Sequence, residues 1–454
     1  MKNKYVTITL LSISSLFLGC NKFLEEKSDK RLTTPSTIAD LNSLLQNNDM
    51  FTLMSSAGQI SSDDLFISDN DLNALYYDSD KRLYAWQPDH VSKGQGSVGN
   101  FWQYCYKPIF VCNSVLHALE ENSLSGPEAD HTRGQAMVLR AAKYLDGAQV
   151  WAPVYNATTS NNDLGMVIRL DPDMNIPSIR STVQQTYDQI IKDLTEAIPL
   201  LPESSIFPAI PTKATAFGLL ARTYLFMGNY DAALKNAQNA LNYNSNLIDF
   251  NKLKATDAFP LPGTKTYAPD EMLFFSTMTI FDIDINSAIR TTPDLYKLYL
   301  EGDLRKDMYF KKGTGDSYHF KGSHTRSGLF TGITTGELFL IIAECNARAG
   351  NVQNAANALN TLRIKRWKPE KFVASTFINK EEALKTIIEE RRRELAFRGL
   401  RWSDLKRLNR DGANITLTRT INGEVRTLAP NDKRYAIAIP EEIIEIAQIP
   451  QNPR

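Results

Sequence analysis

Cysteine and histidine are scarce in this chain of 454 residues, which contains four cysteines and five histidines. Cys105 and Cys112 occur in a stretch with helical periodicity, where seven residues correspond to about 10.5 Å along the axis. A disulfide requires Cα atoms within about 7 Å. We therefore expect these two residues, and Cys345, to be buried free thiols. The histidines show no zinc spacing, and no cofactor is indicated.

The chain also lacks an excess of charge of one sign, because 51 Lys and Arg residues balance 51 Asp and Glu residues. A nucleic-acid partner would require a basic patch. The one conspicuous basic cluster, residues 391–393, lies in a helical pattern. There the i,i+4 spacing predicts that Glu389 pairs with Arg393 and Glu394 with Arg398. We expect a neutralised, structural helix face and no nucleic-acid binding.

The apolar run at the start of the chain is too short to span a bilayer. Its 14 residues, 5–18, would rise about 21 Å as a helix, against a hydrocarbon core of about 30 Å. Two lysines precede the run and Gly19-Cys20 follows it, which is the layout of an export signal. The segment resembles the bacterial lipoprotein box, in which the cysteine is lipidated. An ordinary secretory signal that contains a cysteine is the alternative. We predict a signal peptide over residues 1–19 and a lipidated tether over 20–34.

Helical hairpins are predicted for much of the remaining chain, residues 35–454. Phe217-x-x-Leu220-Ala221-x-x-Tyr224, followed by Gly228-Asn229 and Ala233, has the tetratricopeptide spacing. The pattern returns from Phe339. We predict a mainly α fold of tetratricopeptide-like hairpins with large irregular insertions that form a ligand-binding face. The repeats are placed at about 131–151, 183–245 and 335–408.

Three further elements follow from the pattern of the sequence. A helix is predicted from about Phe101 to Asn122, before the repeats. Within the last repeat, Glu381–Leu408 is predicted to be one long charged helix with a bend near Gly399. Weak alternation over Tyr435–Ile439 favours a short strand.

Two stretches of weak periodicity, about 55–100 and 246–334, are predicted to be irregular and to lie on the ligand side. Gly94-x-Gly96-x-x-Gly99 matches the dinucleotide fingerprint, but no apolar strand precedes it, so a loop is predicted. Asp69 to Asp80 is similar to a calcium loop. Because Ala74 occupies the position of the sharp turn, an exposed loop is favoured over a metal site.

Aromatic residues are frequent in these two stretches and are the candidate ligand-binding residues. A sugar presents apolar C–H faces that pack on aromatic rings. Trp86 follows Tyr84 at i+2, so in an extended segment both side chains would lie on one face. Packing in the core is the alternative for each of them. The candidates are Trp86, Tyr84, Tyr76, Tyr77, Phe281, Tyr296 and Tyr318.

Several segments together resemble the SusD/RagB-like outer-membrane lipoproteins of Bacteroidetes. The most specific is Glu389-Glu390-Arg391-Arg392-Arg393-Glu394-Leu395-Ala396-Phe397-x-Gly399-x-Arg401-Trp402-x-Asp404-Leu405. The ending, Ile437-Ala438-Ile439-Pro440-x-Glu442-Ile443 and Gln451-Asn452-Pro453, is also similar. Arg398 stands where Glu is frequent, and Arg454 replaces the usual Gly-Tyr. The other similar segments are residues 20–26, 101–113 and 139–144.

The resemblance implies a lipid-anchored protein on the extracellular side of the outer membrane. Such a protein binds oligosaccharides, or less often peptides, for a SusC-like TonB-dependent transporter, and it is not an enzyme. The family's ligand residues follow no motif, so none is transferred to this chain. Two alternatives stay open. One is a surface glycoside hydrolase, since paired carboxylates are set by spatial and not sequence distance. The other is a repeat adaptor that binds no small ligand.

Overall fold

The computed structural model describes residues 35–52, 54–89, 101–263, 270–278, 288–326 and 328–454. The predicted signal peptide, tether and glycine-rich motif lie outside these residues. The helices are α1 (Ile38–Leu45), α2 (Asp49–Thr52), α3 (Ala57–Ser61), α4 (Asp69–Ala74), α5 (Asp78–Tyr84), α6 (Phe101–Glu121), α7 (Pro127–Trp151), α8 (Val183–Ala197), α9 (Lys213–Met227), α10 (Tyr230–Tyr243), α11 (Pro293–Tyr296), α12 (Arg305–Tyr309), α13 (Thr335–Arg348), α14 (Val352–Arg363), α15 (Lys380–Glu394), α16 (Arg401–Arg410) and α17 (Glu441–Ala447).

The strands are short and pair two by two. The six pairs formed by the described residues are antiparallel: β1 with β6, β2 with β3, β4 with β10, β5 with β9, β7 with β8 and β11 with β12. Their bounds are β1 (Leu65–Phe66), β2 (Leu164–Val167), β3 (Arg180–Thr182), β4 (Met272–Phe274), β5 (Thr277–Met278), β6 (Arg290–Thr291), β7 (Phe310–Lys312), β8 (Tyr318–Phe320), β9 (Leu329–Phe330), β10 (Ile333–Thr334), β11 (Leu417–Ile421) and β12 (Glu424–Leu428). The mainly α prediction is confirmed.

The long helices form one stack of tetratricopeptide-like hairpins. Helix α9 packs against α10, and α13 packs against α14, as the repeated pattern predicts. Helix α7 packs against α8, which is the looser hairpin split by residues 152–182. Helix α10 also packs directly on α13. The helical stack therefore continues across the insertion, and the inserted chain is displaced to one side of it.

Local sequence explains where the best hairpin begins, turns and packs. The Thr212 side chain accepts a hydrogen bond from the Thr215 backbone amide and caps α9. Gly228 ends that helix with φ at 79°, a left-handed conformation that favours glycine. Asn229 then caps α10. The buried positions of α10 are alanines, so the two helices can approach closely: Ala233, Ala237 and Ala240.

The charged C-terminal helix is two helices and not one. Helix α15 ends at Glu394, and α16 begins at Arg401. Between them Phe397 has φ at 59° and Gly399 has φ at 74°. A left-handed residue interrupts the hydrogen-bond ladder of an α-helix, so the bend expected near Gly399 becomes a complete break.

Three other expectations are corrected. Residues 57–84 contain the short helices α3, α4 and α5 and are not loops. The calcium-like sequence, Asp69 to Asp80, forms α4 and the start of α5, and the Ser68 side chain caps α4. Residues 433–435 form a 3-10 turn, and none of Tyr435–Ile439 lies in a strand. The β11–β12 hairpin was not anticipated.

The cysteines in the described residues are buried and free, as predicted. Burial raises the pKa of the Cys112 thiol to about 12, with smaller effects from nearby charges. In the same residues no group of three or more His, Cys, Asp and Glu side chains is placed to hold a metal ion. None of the helices in the described ranges is long and apolar enough to cross a bilayer.

A buried network of arginines and carboxylates joins the inserted chain to the last repeat. Arg366 Nη2 donates to Glu394 Oε1 at 2.7 Å, and Arg305 Nη1 donates to Glu394 Oε2 at 2.8 Å. Arg305 Nη2 also donates to Glu390 Oε1 at 2.6 Å. Burial opposes ionisation of Glu390, but the charges of Arg305 and Arg393 outweigh it and lower the pKa of this carboxyl to about 2.

This network corrects the ion pairs that the sequence predicts. Arg393 pairs with Glu390 at i,i+3, with Nη2 and Oε2 2.6 Å apart, and not with Glu389. Arg398 donates to the Thr334 hydroxyl and to the Gly332 carbonyl instead of pairing with Glu394. The basic cluster is a neutralised, structural feature, as expected, and Arg391 and Arg393 within it are buried.

Candidate functional site

The two predicted ligand-side regions adjoin in space. Strand β1 pairs with β6, so that Leu65 is opposite Thr291, and β6 packs against β8. Arg290 Nη1 and Asp71 Oδ2, 2.7 Å apart, add an ion pair between the regions. We call the surface formed by residues 63–89 and 288–326 the insert face. Six of the seven candidate aromatic residues belong to it, and Phe281 lies outside the described residues.

Trp86 and Tyr84 are core residues, which corrects the prediction that they form an open platform. Their exposed fractions are 4% and 2%. The guanidinium of Arg419 lies between the rings, 4.0 Å from the Tyr84 centroid and 4.5 Å from the Trp86 centroid. Trp86 Nε1 donates to the Ser61 carbonyl at 2.8 Å. Because Tyr84 ends α5 and Trp86 has φ at 51°, the segment is not extended.

Tyr76 and Tyr77 lie between α4 and α5 at the surface. Their rings meet edge to face, with centroids 4.9 Å apart. Tyr76 is 81% exposed, whereas Tyr77 is half-buried. A large apolar ring with that exposure is available to a ligand, although a single exposed aromatic residue is common on protein surfaces.

Tyr296 and Tyr318 form a stacked aromatic pair on the insert face. Their rings stack with centroids 3.6 Å apart and planes 14° from parallel, and both side chains are half-buried. Phe310 contacts Tyr296 edge-on at 5.4 Å. The Lys306 ammonium lies 5.2 Å from the Tyr296 ring centroid. Burial, followed by the hydrogen bond with Tyr318, raises the pKa of the Tyr296 phenol.

This pair has the composition of a sugar platform. Two hairpin strands and a helix hold the rings, so little side-chain freedom is lost when a ligand packs on them. Both rings keep part of their surface exposed, and Lys306 and Asp307 on α12 supply charged groups nearby. The sequence pattern indicated both tyrosines as candidates. It did not predict that they stack, because they lie in separate secondary-structure elements.

The fold and this site define a tetratricopeptide-like helical-repeat protein that carries an aromatic insert face. Residues 22–225 match a family described as starch-binding and associating with the outer membrane. Residues 305–452 match the SusD family. The chain belongs to the SusD/RagB-like family. The description of the first matching family associates that family with the outer membrane.

Known relatives agree with this assignment. A Formosa agariphila protein called SusD-like protein P2 is 28% identical over 153 residues, which cover 32% of this chain and 28% of that protein. The match thus spans less than a third of that relative's length. Among solved structures, a SusD superfamily protein from Bacteroides thetaiotaomicron has a TM-score of 0.74 at 19% identity, covering 92% of this chain and all of that one.

A SusD-like carbohydrate binding protein from Bacteroides vulgatus has a TM-score of 0.67 at 19% identity, covering 91% of this chain and 96% of that one. At these identities the structural matches establish the shared fold.

Proposed function

We propose that this protein captures oligosaccharides, or less often peptides, at the cell surface and delivers them to a SusC-like TonB-dependent outer-membrane transporter. The family assignment supports a role at the outer membrane. The stacked pair Tyr296–Tyr318 is the observation that supports the proposed ligand site. The proposed site residues are Tyr296, Tyr318 and the exposed Tyr76, while Trp86 and Tyr84 support the face from within.

The proposed role is binding without catalysis. Glycoside hydrolysis requires two carboxyl groups facing a substrate, about 5–9.5 Å apart. Several carboxylates of the insert face are instead paired with arginines. Asp78 and Asp89 both bind Arg82, at 2.6 and 2.7 Å, and Asp71 binds Arg290. Carboxylates paired with arginines are held as anions and are not free to exchange protons with a substrate, so the pairing favours a binding role over an acid–base role.

Tyr318→Ala is expected to weaken binding of a retained oligosaccharide by roughly tenfold to a hundredfold, about 1–3 kcal/mol, because it removes half of the stacked platform. Isothermal titration after a glycan screen measures this effect. Tyr243→Ala is the matched control, since Tyr243 stacks on Phe217 at 6.1 Å on the repeat side. Chromatography of the mixtures should show no glycan product.

Trp86→Ala tests the buried aromatic candidate in the same way. Because Trp86 is a core residue, its truncation should lower the melting temperature of the protein. Unchanged affinity in Tyr318→Ala, or cleavage of the glycan by the wild-type protein, would contradict the proposal.

Lipidation of Cys20 is proposed as the membrane anchor. Cys20→Ala is expected to move the protein from the outer-membrane fraction to the soluble fraction, because the thiol that carries the lipid is missing. Fractionation and protease treatment of intact cells measure location and exposure, with Cys345→Ala as a control that alters a buried thiol. A Cys20→Ala protein that stays bound and protease-accessible would exclude this anchor.

The transporter partner should co-purify with the lipidated protein from outer membranes dissolved in mild detergent. Mass spectrometry of the eluate identifies the partner, and the same preparation from cells with an untagged protein gives the background. Repeated recovery of the protein alone, with the tag accessible, would argue against a stable complex.

A further inference from the structure

A second feature of the inserted chain is a cavity next to the β7–β8 hairpin. Its volume is about 400 Å³, and it lies between residues 255–259 and residues 320–329, with Lys311 at its edge. Small-molecule sites typically occupy about 300–1,000 Å³. None of the six candidate aromatic residues that the structure describes lines it, so the cavity is distinct from the Tyr296–Tyr318 platform.

The walls of this cavity carry more positive than negative charge. Three cationic side chains, Lys311, Lys321 and Arg326, line it, against one carboxylate, Asp257. Within the described ranges none of the three cations forms an ion pair within 4 Å. This contrasts with the buried arginines of the core, where Arg305 alone contacts three carboxylates.

Two of these cations are positioned by the surrounding chain. The Arg326 guanidinium lies 5.6 Å from the ring centroid of Phe259, which is 42% exposed. Lys321 Nζ donates to the Ala255 carbonyl at 2.6 Å and more weakly to that of Asp257 at 3.4 Å. Burial lowers the pKa of the Lys321 ammonium. The cavity therefore combines an apolar ring with three cationic side chains in its wall.

Such an arrangement favours an anionic occupant. Like charges that share a wall repel one another, and a bound anion relieves that repulsion. A guanidinium binds carboxylate or sulfate oxygens through two parallel hydrogen bonds. The Phe259 ring can contact the apolar face of a sugar, and the hydroxyl of Thr256 in the wall suits one of its hydroxyl groups.

We infer that this cavity binds the anionic group of an acidic oligosaccharide, either a uronate carboxylate or a sulfate ester. The inference rests on the proposed function, since it takes the ligand to be a glycan, and it narrows that ligand to a charged class. The formal net charge of the chain is zero, so the preference would come from this local cluster.

Paired probes test the inference on the purified full-length protein. Oligogalacturonides are compared with the same chains after methyl esterification, and sulfated carrageenan oligosaccharides with the desulfated chains. Neutral malto- and xylo-oligosaccharides complete the panel. Binding of the acidic member of either pair, with at least a tenfold preference over its neutral partner, supports the inference and identifies the carboxylate or the sulfate as the anion.

Variants then locate the site. Arg326→Gln and Lys311→Gln are each expected to lower the affinity for the acidic probe about tenfold, because each removes one charge-assisted contact. Both residues are on the surface, so neither change should affect folding. Lys254→Gln removes an equal charge at an exposed position outside the cavity wall and should leave the affinity unchanged.

The outcomes separate this inference from the proposed function. Binding of neutral glycans alone, or equal binding of acidic and neutralised probes, overturns the inference and leaves the proposed function intact. An equal loss in Lys254→Gln and Arg326→Gln also overturns it, because general electrostatic attraction would then explain the preference. If no glycan of any charge is retained, the inference and the oligosaccharide part of the proposed function are both overturned.

Discussion

Glu394→Ala is expected to lower the free energy of unfolding by about 3–5 kcal/mol, because it leaves two buried guanidiniums without their shared carboxylate. Arg305 and Arg366 both donate to Glu394, at 2.8 and 2.7 Å. The side chains of both arginines are fully buried. Arg305 keeps Asp303 and Glu390, and Arg366 keeps Glu271. Water cannot replace the lost contacts without opening the core, so the penalty comes from buried N–H groups left without an acceptor and from one negative charge fewer in the network.

Chemical denaturation followed by circular dichroism measures this loss. Glu389→Ala on the same helix is the matched control. Glu389 is half-buried and, in the described part of the chain, has no ion pair within 4 Å, so its change should stay within about 0.5 kcal/mol. Comparable losses in the two variants would mean that the network does not stabilise the fold in the way described.

Trp402→Ala is expected to lower the free energy of unfolding by about 3–5 kcal/mol, the usual range when a large buried aromatic side chain is truncated. Trp402 is 2% exposed, and its Nε1 donates to the Tyr435 carbonyl at 3.1 Å. Gly58 packs so closely on it that an added Cβ would lie 3.2 Å from the Trp402 Cβ. The ring therefore joins α3, α16 and the C-terminal segment.

Thermal denaturation of Trp402→Ala, beside Ile378→Ala at a position that is 90% exposed, checks this expectation. The Ile378 variant should melt with the wild type, since the side chain leaves no cavity when it is shortened. An unchanged melting temperature in Trp402→Ala would show that the indole contributes little to packing. A Trp402→Phe variant should have a melting temperature between those of Trp402→Ala and the wild type, because it keeps most of the ring but lacks the indole N–H.

The repeats could be predicted because the information that specifies them is local. Ala221 and Ala233 permit close helix packing, and Gly228 supplies the left-handed turn between α9 and α10. The same reasoning failed at Glu394, where a nearby Arg398 suggests an i,i+4 pair. The actual partners, Arg305 and Arg366, come from other parts of the chain and could not be identified from one sequence.

The aromatic candidates show the same limit. Composition indicated that the inserted regions are rich in rings, but it does not tell a buried ring from an exposed one. Trp86 is buried, and Arg419, more than 300 residues further along the chain, lies against its ring. Tyr296 and Tyr318 become a platform only when α11 packs beside β8. Both outcomes depend on tertiary contacts.

The contacts between the two ends of the described chain constrain the order in which the protein can mature. Arg401 binds Asp63 at 2.7 Å, and Arg392 binds Asp64 at 3.0 Å. Arg419 donates to the carbonyls of Ile60 and Ser62, which precede it by 359 and 357 residues. Contacts of such long sequence separation form late and slow folding.

A ribosome or an export channel releases the N-terminal segment first, long before residues 392–419 emerge. During that interval the carboxylates at positions 63 and 64 and the ring of Trp86 have no arginines to bind, and the future insert face is open to proteases and to aggregation. Residues 63–89 of the insert face would thus be made early and be among the last to reach their final form.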